Sequence, residues 1–396
     1  MLSTCRLLAH QRHLFTSRVL KSNLKRVSIG ENTLAVELDR PVDFHFAWLR
    51  DNCLCEKCIH PSTKQKLHSS GQITSQKPLD VEVINDSIKI KWPKESYNLD
   101  RDEHISVFPI EWLKRFDYSN AYKPAIKPIS WDARILTEKR ETVDFNDFMT
   151  NEGLKKALSQ IRDYGLCFLK NVPSDNPKQV ELVGEQFGTI LDTFYGRNFD
   201  VINDPKSKNI AYTSLFLDLH MDLLYFEAPP GIQLLHCIKN NVKGGTSLFL
   251  DLHRIVEDLR KNHPHEYGIL TQVPVRYSYE NDGRHFEYIR TTITENINDG
   301  FHLFYAPPFQ GPIHCPPAMV DDFYKAFGVL ENLIHDPKGI YRYLLNEGDV
   351  AIFANRRVLH GRDQFDPTSG ERWLKGTYVS WDEFKDKIRV NGLVSK

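Results

Sequence analysis

The sequence predicts a mainly β domain of sandwich or barrel type, flanked by helices and preceded by a smaller β-rich unit. Three observations carry that prediction. At 396 residues the chain exceeds one ordinary domain, which favours one large domain plus a small one. Helical patterning opens the larger part, and short apolar runs bounded by turn residues dominate from residue 210 onward. The composition, 41% hydrophobic and 26% charged, is that of a globular chain able to bury a sizeable core.

Residues 1–26 stand apart. They carry Arg6, Arg12, Arg18, Lys21, Lys25 and Arg26, and no acidic residue precedes Glu31. Leu2, Leu7, Leu8, Leu14 and Phe15 are interspersed with Ser and Thr rather than forming a continuous apolar run. A basic, acid-free, weakly amphipathic start has the profile of a mitochondrial transit peptide, so a matrix location and cleavage before about Val27 are expected.

A small unit is expected over 27–120. Runs 27–38 and 81–92 read as short strands around the turn signals Gly30-Glu31-Asn32 and Asn85-Asp86-Ser87. A connector with Pro124 and Pro128 then enters the larger domain, 121–396. There, Leu154, Leu158 and Ile161 lie at helical spacing within 152–162, and Asp144 or Asn146 can cap. A strand at 166–169 and a helix at 177–187 follow. Further strands are expected at 232–238, 247–251, 273–279, 341–345, 350–354 and 375–381, with helices at 253–261 and 318–333. Asn346-Glu347-Gly348-Asp349 reads as the turn of a hairpin spanning 341–355.

Charge and cysteine usage narrow the function classes. A net charge of -1 gives no global pull toward nucleic acid or a membrane surface. No window approaches eighteen consecutive apolar residues, so no transmembrane helix is expected. The seven cysteines are odd in number, and three fall within six residues, which points away from a secreted disulfide framework and toward a metal cluster. Those three, Cys53, Cys55 and Cys58, need a fourth ligand for a closed tetrahedral zinc site, and spacing leaves His60, His68 and His104 as candidates.

His220-Met221-Asp222 is an H-x-D triplet. If it ends a strand, imidazole and carboxylate point to the same face. His360 can complete two histidines and a carboxylate on one face of an octahedron, leaving three positions open, as non-haem Fe(II) oxygenases require. Those positions would take a bidentate 2-oxo acid and O2. Arg372, twelve residues after His360 at the head of the next strand, can hold the distal carboxylate of 2-oxoglutarate as a forked pair, and Ser247 offers it a hydroxyl.

These residues also carry a resemblance. Tyr195-Gly196-Arg197, Asn209-Ile210-Ala211-Tyr212-Thr213, His220-x-Asp222, the run from Pro229 to Cys237, Leu359-His360-Gly361-Arg362 and the amino-terminal Trp48-Leu49-Arg50-Asp51-Asn52-Cys53 resemble the gamma-butyrobetaine dioxygenase and trimethyllysine dioxygenase family of carnitine biosynthesis. The resemblance implies a double-stranded β-helix (jelly-roll) oxygenase domain and a small zinc-bearing amino-terminal domain. It implies iron on His220, Asp222 and His360, and oxoglutarate on Arg372. Asp102-Glu103-His104 followed by Trp112-Leu113 matches the family's ligand segment and selects His104 as the fourth zinc ligand. The family's cation cage falls on Tyr195, Phe199, Tyr212 and Tyr378, with Asn209 as a polar contact. Aromatic faces attract a quaternary ammonium without demanding a hydrogen bond that it cannot give.

The implied reaction is hydroxylation of gamma-butyrobetaine to L-carnitine with release of succinate and CO2. A homodimer, and ascorbate as reductant, come with the family. Trimethyllysine or a related betaine is the alternative substrate, favoured by the 151–156 segment and the transit-like start. Two departures from vertebrate gamma-butyrobetaine dioxygenases bear on this choice: Phe199 replaces a tryptophan, and Tyr305-Ala306-Pro307-Pro308-Phe309-Gln310 stands where paired asparagines occur. An alternative of another class, a zinc-bearing binding protein without catalysis on the same fold, would lack part of the triad or the anchor, and this chain lacks neither.

Overall fold

The structure, a computed structural model, describes residues 27–94, 103–120, 126–203 and 213–394. The expected transit peptide therefore lies outside the described residues. The chain divides between residues 122 and 123 into two compact units.

The first unit holds two three-stranded antiparallel sheets. One is built from Val27–Ile29, Thr33–Glu37 and Pro41–His45, the other from Asp80–Ile84, Ser87–Trp92 and His104–Pro109. Each of the two turn signals joins an antiparallel pair. Strict alternation along Pro41–His45 and His104–Pro109 buries every second side chain, as a sheet with one covered face requires. Leu34, Val36, Val42, Phe44, Ile88 and Trp92 meet in that core. The unit's last element is a helix, Ile110–Arg115.

The core of the second unit is a double-stranded β-helix built from two sheets. The six-stranded sheet runs in the spatial order Thr142–Asp144, Leu166–Lys170, Val350–Ala354, Ile232–Asn240, Arg372–Val379, Phe199–Ile202. All its neighbours are antiparallel except the first pair. The four-stranded sheet runs Leu217–His220, Val358–Arg362, Ser247–Asp251, Tyr341–Tyr343, all antiparallel. Their inner faces meet in one cluster, where Phe249 packs edge-on against Phe168 at 5.7 Å and at 5.6 Å from Phe353. Helix Asn151–Tyr164 covers the outer face of the larger sheet through Ala157, Leu158 and Ile161. Among the described residues no helix is long and apolar enough to cross a membrane.

Three local expectations are corrected. Residues 341–355 do not form a hairpin: Tyr341–Tyr343 pairs with Ser247–Asp251, and Val350–Ala354 pairs with strands of the other sheet. All five residues of Val350–Ala354 are buried, so the strand needs a partner on each edge, and the 346–349 turn carries the chain between sheets. The long helix is capped by Thr150, while Asp144 caps the short helix Phe145–Phe148. The last strand begins at Arg372 rather than at residue 375, and Trp381 already opens helix Trp381–Val390, capped by Ser380.

Candidate active site

His220 ends its strand, and its register partner on the neighbouring strand is His360. Their rings lie 4.4 Å apart between centroids, tilted by 40°. Asp222 arrives by a different route from the one its spacing suggests, since the strand stops at His220. The Asp222 N–H donates to Asn355 Oδ1 at 2.9 Å, and Asn355 Nδ2 donates back to the Asp222 carbonyl at 3.0 Å. Asn355 is fully buried and follows the strand Val350–Ala354, so a turn of the barrel aims the carboxylate.

The result is a compact donor set. Asp222 Oδ1 lies 3.4 Å from His220 Nε2, and Oδ2 lies 3.7 Å from His360 Nε2. Metal–ligand bonds of about 2.1 Å at right angles would bring such atoms to roughly 3 Å. His220 Nδ1 donates to the Asp218 carbonyl at 2.8 Å, which leaves the Nε2 lone pair for a metal. Burial, then the nearby His220, pushes His360 down to about 3, so it stays a neutral donor. Burial alone would raise the Asp222 carboxyl, yet the hydrogen bonds and charges of the two histidines and the Tyr378 hydroxyl hold it below the usual carboxylate range. The residues present fit a divalent ion bound through two imidazoles and a carboxylate.

A cleft opens from this triad. Arg372 and Ser247 both line it and are both buried. Burial, then the adjacent Arg362 charge, lowers Arg372 to about 10, and its Nε has no hydrogen-bond partner among the described residues. Gly245, at φ +75°, lets the turn pass close to that guanidinium, because a Cβ there would sit 3.2 Å from Nε. Arg362 is a second buried guanidinium in the cleft that sequence reasoning missed. It faces Ser247 in register and donates Nη2 to the Thr213 and Leu215 carbonyls at 2.8 and 3.1 Å, while its Nη1 has no partner among the described residues. Its place two residues after His360 on the same strand was the available signal.

Tyr195, Phe199 and Tyr378 form a connected aromatic wall: Tyr195 to Phe199 is 5.9 Å, and Phe199 stacks on Tyr378 at 5.0 Å. Gly376 makes that stack possible, because a Cβ there would come within 2.3 Å of the Phe199 ring. Asn209 and Tyr212 lie outside the described residues. Tyr225 and Phe309, not anticipated, line the same cleft; Phe309 belongs to the 305–310 segment that departs from the vertebrate pattern. The Tyr378 hydroxyl and Gln233 Nε2 both donate to Asp222 Oδ2, at 2.7 and 2.8 Å.

In the first unit the three cysteines converge on His104 rather than on His60 or His68. Nε2 of His104 lies 3.2, 3.6 and 3.6 Å from the sulfurs of Cys53, Cys55 and Cys58. Tetrahedral zinc, with bonds of about 2.3 Å to sulfur and 2.05 Å to nitrogen, would set that separation at roughly 3.6 Å. Buried Arg50 donates to Cys58 Sγ at 3.3 Å, which favours the thiolate.

Comparison with known proteins adds the family. Residues 126–378 match the family described as taurine catabolism dioxygenase TauD, TfdA family. The chain belongs to that dioxygenase family. Residues 26–114 match the gamma-butyrobetaine hydroxylase-like amino-terminal family. The dioxygenase is 36% identical to dioxygenase str8 of Strobilurus tenacellus over 94% of this chain and 90% of the relative. It is 31% identical to mitochondrial trimethyllysine dioxygenase of Homo sapiens over 88% and 83%. It is 30% identical to gamma-butyrobetaine dioxygenase of Pseudomonas sp. (strain AK-1) over 88% and 90%. It is thus an Fe(II)- and 2-oxoglutarate-dependent dioxygenase of the gamma-butyrobetaine and trimethyllysine dioxygenase group.

Iron, when bound, supplies the activation of O2 that oxidises an unactivated C–H bond. The dioxygenase's own groups supply two imidazole donors, an anchored carboxylate, guanidinium nitrogens without partners among the described residues that can take an anion, and an aromatic wall.

Proposed function

We propose that the dioxygenase hydroxylates gamma-butyrobetaine to L-carnitine, with 2-oxoglutarate and O2 consumed and succinate and CO2 released. His220, Asp222 and His360 hold the iron. Arg372 and Ser247 hold the distal carboxylate of oxoglutarate, and Tyr195, Phe199 and Tyr378 receive the trimethylammonium. The supporting observation is the charge pattern of the cleft. Among the described lining residues, aromatic faces and two guanidiniums accompany a single carboxylate, Asp222, which belongs to the metal triad. That lining suits a quaternary ammonium with a carboxylate. Trimethyllysine carries an additional α-ammonium, for which the described lining offers no second carboxylate. The relatives named trimethyllysine dioxygenase support that substrate as the second reading.

The test is a panel of gamma-butyrobetaine, trimethyllysine and related betaines, scored by succinate release together with hydroxylated product. Preference for gamma-butyrobetaine supports the first reading, and preference for trimethyllysine replaces it.

In this reading Cys53, Cys55, Cys58 and His104 carry a zinc ion whose closed ligand set makes it structural. The protein works in the mitochondrial matrix. The basic start and the mammalian relatives named mitochondrial support that location.

A further inference from the structure

The aromatic wall and the metal carboxylate share one side chain. Tyr378 stacks its ring on Phe199, and its hydroxyl donates a hydrogen bond to Asp222 Oδ2. Gln233 is its register partner on the adjacent strand, so both side chains leave the same face of the sheet and reach the same oxygen. Gln233 and Tyr378 are 1% and 2% exposed and stand on neighbouring interior strands of the six-stranded sheet, so the scaffold sets their positions. Oδ2 takes both hydrogen bonds while lying 3.7 Å from His360 Nε2, and Oδ1 lies 3.4 Å from His220 Nε2.

We propose that Tyr378 is a positioning residue joining the substrate cage to the iron carboxylate: its hydroxyl, together with Gln233, fixes the orientation of the Asp222 carboxylate that would hold the iron. This rests on the iron and cage roles proposed above. A carboxylate held by two buried donors would present its oxygens to a bound iron in one fixed orientation, whereas an untethered one could turn. Hydrogen bonds from outside the ligand set are the usual means of fixing ligand orientation and donor strength. The two duties of Tyr378 do not compete, because a trimethylammonium engages the ring face and has no N–H to offer the hydroxyl. A substrate cation and the metal therefore meet through one phenol.

Tyr378→Phe keeps the ring and deletes the donor, and Gln233→Met deletes the second donor outside the aromatic wall. Anaerobic Fe(II) titration, the ratio of hydroxylated product to succinate, and betaine KM are measured on the full chain, with folding checked by thermal melting. In Tyr378→Phe, Fe(II) binding should weaken about 10-fold or more and the product-to-succinate ratio should fall, while betaine KM stays within about 3-fold. Gln233→Met should reproduce the Fe(II) defect, and Tyr378→Leu should additionally raise KM. Wild-type Fe(II) affinity and wild-type coupling in both Tyr378→Phe and Gln233→Met would overturn the proposal and leave Tyr378 a cage wall alone. If the parent protein turns over no betaine yet Fe(II) affinity still drops in both variants, the positioning role stands and the substrate reading fails.

Discussion

At the scale of single residues the cleft holds two buried guanidiniums, each with one nitrogen that has no hydrogen-bond partner among the described residues. Arg372 has an unsatisfied Nε in a buried setting, and desolvated guanidiniums are costly without an anion. Replacing Arg372 by Gln should therefore weaken oxoglutarate by about 1.5–3 kcal/mol, the worth of a charged hydrogen bond, a rise in oxoglutarate KM of about 10- to 100-fold. Steady-state kinetics at saturating betaine would show it, and an unchanged oxoglutarate KM would reassign the anchor. Arg362→Gln should have a smaller effect, because part of that guanidinium already serves the Thr213 and Leu215 carbonyls. Asn355→Ala should lower Fe(II) occupancy about 10-fold or more, since nothing else described holds both the N–H and the carbonyl of Asp222; metal analysis after gel filtration reads it. The metal-binding residue types were legible in the sequence because their chemistry is intrinsic. Asn355 and Gln233 were not, since an amide gains its role only from which strand lies beside which.

Secondary-structure elements explain both the successes and the misses of sequence reading. Strands 247–251 and 350–354 were legible to the residue: the second is a continuous apolar run after a turn signal, and the first centres on Leu248-Phe249-Leu250 after the Gly244-Gly245 turn. The supposed hairpin between 341 and 355 was illegible, because local turn chemistry says where a chain bends and not which sheet it enters next. The pairing of Phe199–Ile202 with Arg372–Val379 has the same character. It sets Gly376 opposite Phe199, an arrangement that no spacing rule announces across so long a separation. Gly376→Ala tests the pairing directly. The added methyl would displace the Phe199 ring from Tyr378, costing about 1–3 kcal/mol of packing and raising betaine KM more than oxoglutarate KM. Equal effects on both constants would mean that the ring stack is not part of the substrate wall.

For the whole molecule, two compact units carry two separate donor clusters, Cys53, Cys55, Cys58 and His104 in one and His220, Asp222 and His360 in the other. Their chemistry differs as their ligands do: thiolates close a tetrahedron, whereas a facial triad leaves room for substrates. Stripping zinc with a strong chelator should raise hydrogen exchange across residues 33–45, 87–92 and 104–109, while the strands at 232–240 and 372–379 keep their protection. Unchanged exchange in the first unit would show that zinc does not hold it together. Catalysis itself is tested most directly by oxoglutarate turnover in a variant carrying His220→Ala and Asp222→Ala. Succinate release and betaine hydroxylation should both vanish in that variant while its melting remains cooperative. Turnover at the parent rate would contradict an iron centre at this triad.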